Sequence, residues 1–347
     1  MRSLKNKSIQ KIDVGIIANS TSLPNRQELI DELGEPKDNI FSPLKFSFGN
    51  LKGHIIPLDI QPKDIFSPKK MPIARKACLR ATDLLVELGA KTICYTASTK
   101  RLPGKDGIHL REKPYADKVI FSIGDSATTM SFLAIISEVL KDATEDEQIL
   151  VVGGGFLGLE AVNYCSKKGR SKNLTLLSKH SQKLNPKVRV VRDVSEVEGK
   201  VKLLIVCAHK HDITAESLEV ILQEDSIIVD VAVPAGVPPE ILKLLKFKPT
   251  RLSAGDFFLE NIDYQFQPGI LCFPSKNFWY GCFTEALCLA IAIDSLSVGY
   301  LKQYNFFQVN EANQVLLFPF LKEIEAKIPL VDFFSLKELK DIKVIDF

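Results

Sequence analysis

The sequence has few of the features that mark secreted or nucleic-acid-binding proteins. Its seven cysteines are an odd number and include no C-x-x-C pair. Its first residues lack the basic segment followed by an apolar run that is typical of a signal peptide, so we expect a reducing, cytoplasmic setting. The 45 basic and 42 acidic residues are spread along the chain without a basic stripe, and nucleic acid is therefore not an expected partner.

Long apolar runs are also scarce. The run at residues 282–298 contains Glu285 and Asp294, and each charge is costly at the centre of a bilayer. We interpret this run as a buried helix and predict no transmembrane segment. Internal repeats and low-complexity tracts are absent as well. What remains is a globular chain of 347 residues, 46% of them hydrophobic, long enough for two domains of ordinary size.

Strands alternate with helices along most of the chain, which is typical of the α/β class. We predict an N-terminal α/β substrate domain (residues 1–145), then a Rossmann-type, doubly wound parallel-sheet domain that binds NADP (residues 146–276). The first boundary follows from a polar, acidic stretch without apolar periodicity at residues 141–148. Residues 277–347 are predicted to form a C-terminal helical segment that packs on the first domain and carries a candidate nucleophile.

A glycine-rich string joins a short apolar strand to a helix at the start of the second domain. Gly153, Gly155 and Gly158 have the G-x-G-x-x-G spacing, which allows a tight turn, a close approach of the backbone to a pyrophosphate, and packing of the helix on the strand. Phe156 and Leu157 begin the helix, whose exposed N–H groups would bind the pyrophosphate. An ordinary turn between strand and helix is the alternative.

The residues after the second strand of this domain indicate which dinucleotide binds. An NAD enzyme places an acid there, on the ribose 2′-hydroxyl, but this chain has Ser178 and Lys179. A hydroxyl and a cation suit a 2′-phosphate, so we predict NADPH as the cofactor; two solvated surface residues without a ligand are the alternative. No metal site is predicted.

Cys282 differs from the other cysteines because it begins a helix after a turn-like stretch. The helix dipole there would favour a thiolate, which could attack a thioester and hold the acyl group for hydride transfer. A buried cysteine at the start of a helix is the alternative interpretation.

The residues around Cys282 resemble a known family. Gly281-Cys282-Phe283-Thr284-Glu285-Ala286-Leu287 looks like the segment around the nucleophilic cysteine of the cyanobacterial-type long-chain acyl-[acyl-carrier-protein] reductases. Further segments resemble that family in the same order: Gly53-His54-Ile55-Ile56-Pro57, Arg75-Lys76, Ser98-Thr99 and Ser122-Ile123-Gly124-Asp125-Ser126-Ala127-Thr128.

The resemblance implies an NADPH-dependent reduction of a long-chain fatty acyl thioester, carried by acyl-carrier protein or coenzyme A, to a fatty aldehyde. Cys282 would form the acyl-enzyme, while Ser126 and Thr128, at a helix start, would steady the oxyanion or simply cap the helix. Two alternatives stay open: an NADP-dependent dehydrogenase of a small amino or hydroxy acid, and a nucleotide-binding module without catalysis. Association into a homo-oligomer is also left open.

Overall fold

The computed structural model describes residues 11–179, 187–208, 213–233, 235–272, 277–332 and 344–346. By their contacts these residues form two compact units. The first contains the described parts of Met1–Thr128 and Phe257–Ala326, and the second those of Thr129–Asp256 and Lys327–Asp346. The predicted mixed α/β class, with a parallel Rossmann-type sheet and helices near the C-terminus, is confirmed.

The strands are β1 (Val14–Asn19), β2 (Leu44–Phe48), β3 (Leu51–Leu58), β4 (Thr92–Tyr95), β5 (Ile120–Ser122), β6 (Gln148–Val152), β7 (Leu174–Leu177), β8 (Arg189–Val191), β9 (Val201–Val206), β10 (Ile227–Asp230), β11 (Thr250–Ser253), β12 (Asp256–Phe258), β13 (Ile262–Tyr264), β14 (Phe278–Tyr280), β15 (Lys327–Pro329) and β16 (Val344–Asp346). The helices are α1 (Leu23–Leu33), α2 (Pro62–Ile65), α3 (Met71–Glu87), α4 (Asp125–Lys141), α5 (Phe156–Lys167), α6 (Ala215–Ile221), α7 (Pro239–Leu242), α8 (Gly281–Leu296), α9 (Val298–Leu301) and α10 (Glu311–Glu323).

The first unit is built on a six-stranded sheet with the order β13-β2-β3-β1-β4-β5. Strands β3, β1, β4 and β5 are parallel, whereas β2 and β13 are antiparallel to their neighbours. All six residues of β1 are buried, because helices cover both faces of the sheet. The chain runs from β1 to β3 on one side and then crosses to β4 on the other. The crevice at the carboxyl ends of β1 and β4 is therefore a topological switch point, where open α/β sheets bind ligands.

Helices α3 and α8 contact opposite faces of this sheet. Ile93 and Tyr95 of β4 belong to the apolar core shared with α3. At the alternate positions of β4, Thr92 Oγ1 and Cys94 Sγ face the other way and donate hydrogen bonds to carbonyl oxygens of α8, one turn of helix apart, at 3.2 and 3.1 Å. These bonds hold the first turns of α8 against the sheet. They use carbonyls that also belong to the helical ladder, so α8 keeps a fixed position along β4.

The second unit contains a six-stranded parallel sheet with the order β11-β10-β9-β6-β7-β8. Counted from the first strand of this unit, the order is 6-5-4-1-2-3, the strand order of a Rossmann fold. Its inner strands are short apolar runs because both of their faces are buried, and the doubly wound parallel sheet predicted from those runs is confirmed. The switch point lies between β6 and β9.

The contact boundary between the units lies within a single helix. It falls inside α4, between Thr128 and Thr129, because the helix begins in one unit and continues in the other. The strand β15 is grouped with the second unit, where β16 pairs with it antiparallel and Ser253 N donates to Val331 O. In the part of the chain that the structure describes, no helix has the length and apolar character needed to cross a bilayer.

Candidate functional site

The glycine string of the second unit forms a tight turn between β6 and α5. Gly153 has a φ of +109°, and its N–H donates to Leu177 O at 2.9 Å. A Cβ on Gly153 would lie 2.9 Å from the Ala208 Cβ, and a Cβ on Gly158 would lie 1.8 Å from the Gly153 carbonyl oxygen. A Cβ on Gly155 would meet no atom of the described residues within 4 Å. Two glycines are thus required by packing, whereas Gly155 faces open space.

The open space lies at the amino end of α5. Gly155 is the N-cap residue in an extended conformation, and its position offers no side chain to the first N–H groups of the helix. Phe156 is 41% exposed and Leu157 is half-buried, so the first turn is accessible to solvent. The uncapped donors and the helix dipole would favour an anion at this end.

Ser178 and Lys179 follow β7 at the carboxyl edge of the same sheet. Ser178 is buried, whereas Lys179 is exposed. Hydrogen bonds from Ser195 and the charge of Lys179 hold the pKa of the Asp193 carboxyl below its ordinary value. The cation of the predicted pair is therefore at the surface, and the hydroxyl is covered.

Arg192 lies at this edge too and was not identified from the sequence. Ser178 N donates to Val191 O at 2.9 Å, which places the residue after β8 beside the end of β7. The Arg192 side chain is exposed. In the sequence, Arg192 is a cation directly after the third strand of a Rossmann unit. That position indicates a binding role only when the register of β7 and β8 is known.

In the first unit, an ion pair lies at the carboxyl ends of β4 and β5. Lys100 Nζ is 2.6 Å from Asp125 Oδ1, and the two side chains are 31% and 11% exposed. Although burial opposes the charge of Lys100, the Asp125 carboxylate raises the pKa of that ammonium above its ordinary value. The Lys100 ammonium is thus a charged, partly accessible acid near the switch-point crevice. The sequence analysis did not identify Lys100.

The loop between β4 and Lys100 is held in an unusual conformation. Ala97 has a φ of +48°, a left-handed conformation that costs free energy for a residue with a Cβ. The loop keeps it because Ser98 N donates to Asn19 Oδ1 at 3.2 Å and Thr99 Oγ1 donates to the backbone of β1 at 3.0 Å. Contacts with the neighbouring strand therefore determine where the loop carries its lysine.

Cys282 is half-buried in the first turn of α8 and packs against Gly124. Gly124 has a φ of +71°, and a Cβ there would lie 2.2 Å from the Cys282 Cβ, so only glycine fits. Cys94 Sγ donates to Cys282 O at 3.1 Å. A negative charge on Cys282 would raise the pKa of Lys100, so the cysteine and the ion pair belong to one cluster.

Glu285 completes this cluster and was also missed as a functional residue. Its Oε2 accepts the N–H groups of Ser126 and Ala127 at 2.9 and 3.0 Å, at the amino end of α4. Thr128 Oγ1 donates to Gly124 O at 2.8 Å. Ser126 and Thr128 are thus brought close to Cys282, but these donors serve a carboxylate and a carbonyl of the protein itself. Their role toward a substrate oxyanion stays a prediction.

The predicted residues therefore fall into two groups. The dinucleotide residues lie together in the second unit: Gly153, Gly155, Phe156, Leu157, Gly158, Ser178 and Lys179. The predicted catalytic residues lie together in the first unit: Cys282, Ser126 and Thr128.

Comparison with known proteins gives similarity to solved structures alone, since no family model and no curated protein matches the chain. Shikimate dehydrogenase 1 from Peptoclostridium difficile is 9% identical over 90% of this chain and 99% of that one, with a TM-score of 0.38. A D-lactate dehydrogenase from Salmonella is 11% identical over 89% and 95%, with a TM-score of 0.30. The dipicolinate synthase A chain from Bacillus subtilis is 13% identical over 60% and 66%, just under two thirds of that chain, with a TM-score of 0.34.

The resemblance to the acyl-[acyl-carrier-protein] reductases is wrong. The structures to which this chain is similar are of the shikimate dehydrogenase and D-2-hydroxyacid dehydrogenase kinds, and no family is matched at the level of sequence. The short strings that suggested that family also have local structural reasons in this chain. Gly124 must be small because Cys282 packs on it, and Glu285 binds the end of α4.

Proposed function

We propose that this protein is an NAD(P)-dependent dehydrogenase of a small hydroxy or amino acid. The observation that carries the proposal is the parallel sheet of the second unit, which has the Rossmann strand order and places Gly153–Gly158 at the turn after its first strand. This turn is the position at which such sheets bind a dinucleotide, beside their switch point.

The residues at this turn fit a dinucleotide. The open space at Gly155 would take the pyrophosphate, which the first N–H groups of α5 would bind. Lys179 and Arg192 would bind a 2′-phosphate, since both are exposed cations at the carboxyl edge where the adenosine ribose lies in this fold. The pair of cations favours NADPH over NADH.

The first unit supplies the acid–base chemistry of this proposal. A bound nicotinamide supplies or accepts the hydride. In the direction of reduction, the Lys100 ammonium would donate a proton to the carbonyl oxygen or imine nitrogen of the substrate, and Asp125 would keep that ammonium charged and oriented. In the direction of oxidation, the same amine would accept the proton. Asn19, Ser98 and Asp125 at the same edge are polar, as a small polar substrate requires.

Replacing Lys100 by methionine should lower kcat by about 100- to 10,000-fold, the usual contribution of a general acid or base. Asp125→Asn should lower it less, because the ammonium remains but loses its partner. We expect the dissociation constant of NADPH to stay unchanged in both variants. The measurement is NADPH consumption over a panel of 2-oxo acids, with ammonia for the amino acid products.

The matched control for these variants is Lys113→Met. Lys113 also pairs with an aspartate of the first unit, Asp83, at 3.0 Å, and it lies away from the carboxyl edge. The Lys113→Met variant should therefore keep the kcat of the wild type. Full activity of Lys100→Met, or NADPH binding by the wild type without turnover of any substrate in the panel, would contradict the proposal.

Lys179→Ala and Arg192→Ala should each weaken NADPH binding by about 1 to 3 kcal/mol, the range for hydrogen bonds to a charged group. NADH should bind nearly as before, since it lacks the phosphate that these cations would pair with. Titration of both cofactors by fluorescence would measure the effect. Lys172→Ala, an exposed lysine of the same unit, is the control. Equal weakening of the two cofactors would show that the cations do not bind the 2′-phosphate.

A further inference from the structure

Glu285 is a carboxylic acid in a place where acids are rarely found. It is fully buried in α8, a helix whose other buried side chains are mostly apolar. A buried carboxylate costs free energy unless other groups of the protein stabilise its charge. Apolar packing therefore does not explain why a glutamate occupies position 285.

The hydrogen bonds of Glu285 explain its position. Oε2 accepts two backbone N–H groups from the first turn of α4, those of Ser126 and Ala127. The first N–H groups of a helix have no partner within the helix, and here a side chain from another helix provides one. The carboxylate also lies at the positive end of the α4 dipole. Glu285 thus fixes the turn in which Asp125 is the first residue.

Asp125 is the residue that this turn presents to Lys100. It directly precedes Ser126, and its Oδ1 lies 2.6 Å from Lys100 Nζ. A shift of the turn by a few tenths of an ångström would lengthen this short contact. Gly124, on the other side of Asp125, packs against Cys282 in the first turn of the same helix α8. The turn is therefore held on both sides of Asp125 by residues of α8.

The second oxygen of Glu285 shows how the contact tolerates protonation. Oε1 is buried and, among the residues that the structure describes, has no hydrogen-bond partner within 3.5 Å. A proton on Oε1 would leave Oε2 free to accept both N–H groups. Ser122 Oγ is buried beside Glu285 and Cys94. The other ionisable groups that face the carboxyl are Asp125, with its partner Lys100, and Cys94, Cys282 and Cys288.

We propose that Glu285 is a positioning residue that holds the first turn of α4 in place, and through that turn holds Asp125 against Lys100. The proposal deepens the proposed function, on which it rests for the role of Lys100 as an acid. The effect of Glu285 on the Lys100 ammonium can be measured without cofactor or substrate. If the turn moves, the ammonium loses the carboxylate that raises its pKa.

The test measures the reactivity of the Lys100 amine toward trace acetic anhydride as a function of pH, by mass spectrometry of peptides from the labelled chain, with Lys113 as an internal reference because it pairs with Asp83 and not with a residue of α8. Glu285→Ala removes the acceptor of both N–H groups, so the Lys100 pKa should fall. Each unit of that fall raises the fraction of free amine about tenfold at a fixed pH below the pKa. Asp125→Asn sets the largest shift to be expected.

Glu285→Gln is the rescuing variant, because its amide oxygen can accept the same two N–H groups. Its Lys100 reactivity should match that of the wild type. Thr284→Val is the matched control: Thr284 is equally buried in α8, and its hydroxyl donates to Tyr280 O, the residue directly before that helix. A Glu285→Ala chain that folds and labels Lys100 as the wild type does would overturn the proposal. So would a Thr284→Val chain that labels Lys100 as Glu285→Ala does.

Activity then separates the two proposals. When the wild type is active, Glu285→Ala should lower kcat while the KM for NADPH stays unchanged, and Glu285→Gln should restore kcat. Increased labelling of Lys100 in Glu285→Ala, together with full activity of Lys100→Met, would support the positioning role and overturn the proposed function. Unchanged labelling with an inactive Lys100→Met would do the reverse.

Discussion

Gly155→Val is expected to abolish NADPH binding and to leave the free energy of unfolding nearly unchanged. Gly155 has a φ of −75°, which any residue can adopt, and within the part of the chain that the structure describes a Cβ there would meet no atom within 4 Å. The valine side chain would therefore occupy only the open space at the amino end of α5. In the proposed function this space holds the pyrophosphate, whose backbone contacts the branched side chain would block.

The contrast with Gly158 makes this prediction specific. A Cβ on Gly158 would lie 1.8 Å from the Gly153 carbonyl oxygen, so Gly158→Ala must move the turn. We expect it to lower the free energy of unfolding by about 1 to 3 kcal/mol, as overpacking does, and to weaken cofactor binding as a consequence. Calorimetric titration with NADPH and urea unfolding of both variants would measure the two effects. Retention of NADPH affinity by Gly155→Val would show that the phosphates bind elsewhere.

The parts of the fold that could be predicted from the sequence are those encoded locally. The inner strands of the second unit are apolar at nearly every position because both of their faces are buried, and their alternation with helices is typical of a parallel sheet. The glycines at 153 and 158 are required by contacts within a few residues or with the next strand. Such local constraints produce sequence patterns that predict the fold without a structure.

The parts that could not be predicted depend on pairs of residues far apart in the chain. Glu285 binds N–H groups that lie 158 and 159 residues earlier, and neither end of this contact has a distinctive sequence. Lys100 and Asp125 are closer, 25 residues apart, but only the sheet places the ends of β4 and β5 side by side. Arg192 likewise lies next to Ser178 only through the register of β7 and β8.

The failed resemblance has a related explanation. The strings around Gly124 and Cys282 suggest a catalytic signature because they occur in the same order as in a known family. In this structure they form two sides of one contact, in which a helix start packs on a glycine and a carboxylate binds the next turn. Residues that are constrained by a contact of this kind can resemble a motif without sharing its chemistry.

The unfolding free energy of the wild type should fall as the pH rises from about 5 to about 8, and Glu285→Gln should remove most of this fall. Burial is the main cause that raises the pKa of Glu285 from 4.5 to about 7, and the nearby Asp125 charge adds to it, against the hydrogen bonds from Ala127 and Ser126. Between these two pKa values the folded chain binds a proton that the unfolded chain has released. Stability therefore decreases with rising pH in this window.

The size of this effect follows from the difference between the two pKa values. At about 1.4 kcal/mol per pKa unit, ionisation of the buried acid costs about 3 kcal/mol, a cost that is absent below the unfolded pKa and complete above the folded one. Glutamine carries no charge at any pH and keeps the two N–H contacts, so Glu285→Gln should be the more stable chain above neutral pH.

Urea unfolding of the wild type, Glu285→Gln and Thr284→Val at a series of pH values would measure the difference. Other groups with shifted pKa values, such as His54 and Asp256, are common to all three chains and cancel in the comparison. Parallel curves for the wild type and Glu285→Gln would mean that Glu285 does not titrate between these pH values, whereas a curve for Thr284→Val that followed Glu285→Gln would assign the pH dependence to the packing of α8.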